Sequence, residues 1–323
     1  MTLALAAIAA AGIAAPHLLR LQRVKPVSAI VLWISSLALR ALVGVLGVVY
    51  LLFFLPRTDA FAALTHWCLH TAVPALADGL EVEGHGIGDL LLYVPGAALA
   101  GSLVFACLST ARNAVIARHL VERHAVGTGP RNSLMVGGHD VLLAVAGLAR
   151  PRIVVSAGAL ASLDDAELSA ALDHEQAHIA RRHRFIMLAA IALRALGRPV
   201  PGSRRAIREL AFQLERDADS WALGRRNDRL ALASAICKAA TSADASRGPA
   251  VVRLGETGVG ERVGQLLEDS PTRPAPSGAA AVNGLATAMV ACTLVLAAVL
   301  PTAAVAGAQN DAHGAHHDQH CVH

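Results

Sequence analysis

His174, Glu175 and His178 stand in the order H-E-x-x-H, within His174-Glu175-Gln176-Ala177-His178. On a helix, residues four apart share one face, so both imidazoles can reach a single metal ion. Glu175, beside the first of them, can serve as general base toward a water activated at that metal. Zinc-assisted hydrolysis is the chemistry that these residue types allow at this spacing. Two histidines four apart can equally be ordinary buried or surface groups, so the surroundings must decide.

A catalytic zinc ion takes three protein ligands, and the third has to come from elsewhere in the chain. Glu215 and Asp219 lie four apart in Phe212-Gln213-Leu214-Glu215-Arg216-Asp217-Ala218-Asp219, in a segment whose pattern predicts a helix from Ser203 to Leu223. Glu215 is the candidate third ligand. Asp219, on the same face, would hydrogen-bond a ligand histidine from behind. The competing reading of this stretch is a solvated helix face carrying Glu-Arg and Arg-Asp pairs.

These groups need rigid elements to hold them. Ahead of the motif, either Ser162 with Asp165 or Asp164 with Glu167 can cap a helix start, where acidic residues suit the dipole. Leu168, Ala171, Leu172 and Ile179 recur at helical spacing, and Arg181, Arg182 and His183 put positive charge where that helix should end. Short strands are expected at Ser133 to Val136, Val141 to Ala146 and Ile153 to Ser156, punctuated by Gly137-Gly138, Gly147 and Pro151. Phe185 to Leu196 is apolar but too short to cross a bilayer upright, and fits a buried helix or one lying on the membrane.

Composition sets these elements in a membrane protein. The chain of 323 residues is 54% hydrophobic, with a mean hydropathy of +0.50, too apolar for an ordinary soluble domain. Four stretches are long enough to cross a bilayer, which requires ~20 mostly apolar residues: Thr2 to Leu19, Ala29 to Leu55, Leu90 to Ala111 and Asn283 to Ala306. Arg40 inside the second and Pro301 inside the fourth are tolerable if packed against other helices. No basic residue precedes the first apolar run, whereas Arg20, Arg23 and Lys25 follow it, which favours a retained span over a cleaved signal peptide. The loop 56–89 is acidic, and the segment after the third span carries Arg112, Arg118, Arg123 and Arg131. Positive segments stay inside. The expected order is therefore three spans in residues 1–111, a cytosolic domain at 112–280, a fourth span at 281–307 and an extracytoplasmic tail at 308–323. DSPTRPAPSG, residues 269–278, reads as the linker into the last span.

H-E-x-x-H at 174–178 followed by E-x-x-x-D at 215–219 resembles the gluzincin peptidases embedded in membranes. Pro151-Arg152-Ile153-Val154-Val155-Ser156-Ala157-Gly158, leading to Leu163, Glu167-Leu168 and the motif helix, is similar to the BlaR/MecR-type integral membrane peptidases, known as beta-lactam-responsive signal transducers. The resemblance covers roughly Arg112 to Leu267, with a weaker match at Glu261-Arg262-Val263-Gly264-Gln265-Leu266-Leu267. HtpX-type and CAAX-prenyl membrane peptidases share both short motifs. The resemblance implies a mainly α integral membrane protein, with an α+β gluzincin-like zinc peptidase domain between the third and fourth of about four transmembrane helices. It implies one zinc ion per chain on His174, His178 and Glu215, with Glu175 as catalytic base and Asp219 behind the ligands. It also implies that Ile153 to Ser156 is an edge strand receiving substrate in extended form, with plain sheet core as the competing reading. The implied partner is a protein substrate, a cytosolic transcriptional repressor whose cleavage relays a signal, with self-cleavage as an activating step. The lipid bilayer is the other partner, and the oligomeric state is left open.

The C-terminus departs from the signal transducers. In place of their large extracellular penicillin-binding sensor there is a tail with five histidines (His313, His316, His317, His320, His323) and Cys321, so beta-lactam sensing through that domain is not expected. The tail suits borderline metals, but an incidentally His-rich end is the simpler reading. Cys107, Cys237 and Cys292 are expected as small apolar fillers, and Cys68 and Cys321 are the ones expected outside. The 28 Lys and Arg against 24 acids are accounted for by membrane-flanking arginines, without nucleic acid. His183 and the neighbouring arginines are candidate oxyanion stabilisers. Two further readings stand beside the regulatory protease: an HtpX-like quality-control peptidase, and a non-catalytic membrane metal-binding sensor.

Overall fold

The computed structural model describes residues 2–19, 21, 24–53, 85–245, 258–268, 280–295 and 298. The linker 269–278, the tail 308–323, residues 56–84 of the acidic loop, Arg20 and Arg23 of the basic cluster, residues 54–55 of the second expected span and residues 296–297 and 299–306 of the fourth lie outside them. Among the described residues three helices come first: α1 (Thr2–Leu18), α2 (Pro26–Phe53) and α3 (His85–His124). Strands β1 (Ala125–Thr128), β2 (Leu134–Val136), β3 (Leu143–Ala146) and β4 (Arg152–Ser156) follow, and then helices α4 (Ala157–Ser162), α5 (Asp165–Ala180), α6 (His183–Leu196), α7 (Ser203–Gly224), α8 (Arg229–Ala245) and α9 (Val259–Leu267). A last helix, α10, covers Ala280–Val295. The described chain is mostly helical, with one small sheet.

Three of the four strands match the expected positions. β1 does not: its residues are all exposed, so no apolar alternation marks it. The sheet order is β1-β2-β4-β3, with β2 and β4 parallel and the outer pairs antiparallel. The expectation that Ile153 to Ser156 forms an edge is therefore wrong. Its run of four buried residues belongs to an interior strand, and the free edge beside the motif helix is β3.

Helix α5 starts on the second of its two possible caps. Asp164 accepts from the Glu167 amide at 2.8 Å, while Glu167 accepts from the Asp164 amide at 2.9 Å, a reciprocal box that satisfies two free donors. Glu167 also accepts from Ser234 Oγ (2.5 Å) and Lys238 Nζ (2.6 Å), which ties the helix start to α8. At the other end Arg182 takes a left-handed φ of 56°, and the chain turns straight into α6. Leu172 packs with Ile153 and Val155 of the sheet, joined by Leu168, Ala171 and Ile179. The expected apolar face thus lies on the sheet, and the fully buried Ala170 and Ala177 mark the tightest packing of this helix.

A second core joins Trp33, Leu37 and Leu39 of α2 to Met187 and Ala190 of α6, Leu210 and Leu214 of α7, and Val282, Ala286 and Met289 of α10. Phe185 to Leu196 is accordingly a packed helix, with Phe185 and Ala189 its exposed positions. Arg40, fully buried on α2, donates to the carbonyls of Ile13 (2.8 Å), Ser36 (3.2 Å) and Pro201 (3.4 Å) and to the Ser36 hydroxyl, and it lies 2.8 Å from His17 Nε2. One buried cation so links α1, α2 and the α6–α7 turn.

Among the described residues, two helices are long and apolar enough to cross a membrane, at Pro26–Leu52 and Tyr93–Ala117. The second exposes Tyr93, Val94, Phe105 and Leu108, an apolar face that water would penalise. Among the described residues, α1 and α10 fall short of a span, at 17 and 16 residues. Cys107 and Cys237 are exposed and Cys292 is half-buried, so the first two are not core fillers.

Candidate metal centre

Helices α5 and α7 pack side by side and bring together residues distant in sequence. Asp173 anchors the motif turn, accepting from Arg131 Nη1 at 2.6 Å and from Asn227 Nδ2 at 2.8 Å. His174, the next residue, and His178, one turn on, direct their Nε2 atoms to a common point, 3.2 Å apart. Glu215 reaches the same point from α7, with Oε2 3.4 Å from His174 Nε2 and Oε1 3.7 Å from His178 Nε2. Tetrahedral zinc with bonds of ~2.0–2.2 Å separates its ligand atoms by about 3.3 Å. The nitrogen, nitrogen and oxygen donors of these three residues therefore fit a zinc ion. They form the group of potential metal-binding residues among those described.

The far side of each imidazole is also held. His174 Nδ1 lies 2.9 Å from Asp219 Oδ1. Asp219 in turn accepts from Arg262 Nε and Nη2 at 2.8 and 2.7 Å, and the same guanidinium reaches Glu215 Oε2 with Nη1 at 2.9 Å. His178 Nδ1 lies 3.0 Å from His183 Nδ1, and His183 Nε2 lies 3.1 Å from Asp217 Oδ2. When a neutral His183 donates Nε2–H to Asp217, its Nδ1 becomes an acceptor. His178 must then donate from Nδ1, which leaves the lone pair on Nε2, on the side shared with His174 and Glu215.

The electrostatics follow from burial and from these contacts. Burial lowers the His174 pKa, but Asp219 and Glu215 outweigh it and raise the group to about 10. His178 is pushed down to about 3 by burial and then by the charge of His174, so it is neutral near pH 7. Glu215 is held well below the usual carboxylate range, because His174 and Arg262 overcome its burial. Asp219 is lowered likewise, with Arg262 the leading cause against burial. Glu175 goes the other way: burial lifts its carboxyl to about 7, opposed by the charge on His174 and by the Val145 amide that donates to it. A carboxyl near 7 beside a metal-donor set suits a general base at neutral pH.

Each candidate from the sequence can now be located. His174, Glu175, His178, Glu215 and Asp219 converge, and Asp217 and Asp219 are buried, so the solvated-face reading of α7 fails. His183 does not face the centre from the substrate side; it stands behind His178, which removes it as an oxyanion stabiliser. Arg262 went unassigned by sequence reasoning. The available signal was a basic residue sharing the buried face of a short amphipathic helix with Leu266. Asp217 was missed because it looked like one more acid in a charged run.

Residues 111–200 match the family model of peptidase family M48. The match takes in the sheet, the motif helix and α6, and it supports a metallopeptidase. Glu215, Asp219 and Arg262 lie beyond it. No curated protein and no solved structure matches the chain.

Proposed function

We propose that this chain is a zinc-dependent metalloendopeptidase at the cytosolic face of a membrane, with His174, His178 and Glu215 as metal ligands and Glu175 as general base. The observation that carries the reading is the trio of donor separations, 3.2, 3.4 and 3.7 Å, with an uplifted carboxyl next to it in sequence. Zinc bound there supplies a Lewis acid that acidifies water and polarises a peptide carbonyl. Glu175 accepts the proton of the attacking water and later delivers it to the leaving amine. Asp219 and His183 fix the two rings by their far nitrogens, and Arg262 keeps Glu215 and Asp219 ionised in a buried site.

Substrate enters, in this reading, as an added strand on the free edge of β3. The Val145 amide, which donates to Glu175 at rest, is then taken by the incoming backbone, and the base is freed for water. The apolar helices α2 and α3 cross the bilayer, joined by α1 and the helix that begins at residue 280. The BlaR/MecR resemblance, together with a peptidase segment between spans, favours a cytosolic transcriptional repressor as substrate. The test compares the proteomes of cells expressing the wild type and Glu175→Gln. A repressor fragment that depends on Glu175 supports the regulatory role. Loss of many unrelated damaged membrane proteins, with no repressor cleaved, overturns that role while leaving the peptidase assignment intact.

A further inference from the structure

The α6–α7 turn carries charge that the metal centre does not use. Arg194, Arg198 and Arg204 line a cavity of about 320 Å³ together with Pro201 and Gly202. Among the described residues, no hydrogen bond or ion pair engages any of the three. The one acid paired nearby is Glu209, 3.8 Å from Arg205. A fourth cation lies behind the wall: Arg40, fully buried, reaches the Pro201 carbonyl, and its partners are carbonyls, a hydroxyl and His17, with no carboxylate among them. A side chain at Gly202 would come within 3.1 Å of His17 Nε2 and 3.3 Å of Arg40 Nη2. A buried arginine without a counter-charge, next to three unpaired arginines around a cavity, is a site that lacks its anion.

The position of the turn selects the kind of anion. Arg40 is 13 residues from the end of α2 at Phe53, or ~20 Å along the helix. A hydrocarbon core is ~30 Å thick, so with Phe53 at the outer boundary of the span the turn sits in the cytosolic half, within about 10 Å of the headgroups. Arginine side chains bridge such a distance by snorkelling. The metal centre lies further toward the cytosol: Arg216, next to Glu215, donates to the Leu21 carbonyl before α2 begins, at 3.3 Å.

We propose that this cavity holds the phosphate of an anionic phospholipid from the cytosolic leaflet. The inference rests on the membrane reading above but not on catalysis. Arg194, Arg198 and Arg204 clamp the phosphodiester, and Arg40 adds its field from behind. The lipid thereby fixes the start of α7, the helix that carries Glu215 eighteen ångströms or so further along (~1.5 Å per residue).

The test uses full-length protein purified in detergent, with bound phosphatidylglycerol counted by native mass spectrometry. The wild type retains phosphatidylglycerol over phosphatidylcholine. The triple variant Arg194→Gln, Arg198→Gln, Arg204→Gln holds it about a hundredfold more weakly, at roughly fivefold per arginine near a membrane surface, with zinc content unchanged. Equal retention by both proteins overturns the proposal, as does displacement of the lipid by inorganic phosphate. If the variant does not fold, a headgroup photo-crosslinker on wild type decides: label on residues 194–205 supports the site, and label elsewhere sinks it. Release of wild type from membranes by carbonate would instead refute the membrane reading itself.

Discussion

At the scale of single residues, the centre is poised by opposing charges. His174, raised to about 10 by Asp219 and Glu215, carries a proton at neutral pH in the metal-free protein. Zinc must displace that proton, so binding should release about one proton and tighten about tenfold per pH unit up to that value. Calorimetry in two buffers of different ionisation enthalpy reads the proton directly, and binding independent of pH between 6 and 9 would contradict the assignment. Arg262 is the second test. Arg262→Gln leaves Glu215 and Asp219 buried without their cation, at a cost of about 3–5 kcal/mol. Zinc replaces part of the lost positive charge, so it should raise the melting temperature of this variant more than that of the wild type. Thermal scans with chelator and with zinc check the sign.

At the scale of elements, β3 and α5 divide the work. Val145 on the free edge donates its amide to Glu175 rather than to β4. Val145→Pro removes that donor while sparing the ladder to β4, because proline is tolerated on edges. Cleavage should fall at least about fivefold with zinc retained, since each lost backbone hydrogen bond to substrate is worth about 1 kcal/mol or more. An unchanged rate would show that substrate does not use this edge. Helix α5 was legible in the sequence because cap, apolar spacing and terminal charge all agree over Asp164 to Arg182. Strand order was not legible. The buried run Ile153 to Ser156 fits an edge or an interior strand equally well, and only its pairing with both β2 and β3 separates them. Arg262 was hidden for a related reason: its partners are 43 and 47 residues earlier, and no local pattern records so distant a contact.

At the scale of the molecule, the metal centre and the apolar helices share packing. Helix α7 presents Glu215 and Asp219 to α5 and buries Leu210 and Leu214 against α2. Hydropathy located the apolar segments, and H-E-x-x-H with E-x-x-x-D located the ligands, but neither could reveal that one helix serves both. The measurement that bears most directly on the account is peptide hydrolysis by the purified full chain, stripped with chelator and titrated with zinc. Activity should return with the first equivalent of zinc per chain and saturate there, while Glu175→Gln binds the same equivalent and stays inactive. Hydrolysis that persists after chelation, or that Glu175→Gln retains, would contradict a zinc peptidase built on His174, His178 and Glu215.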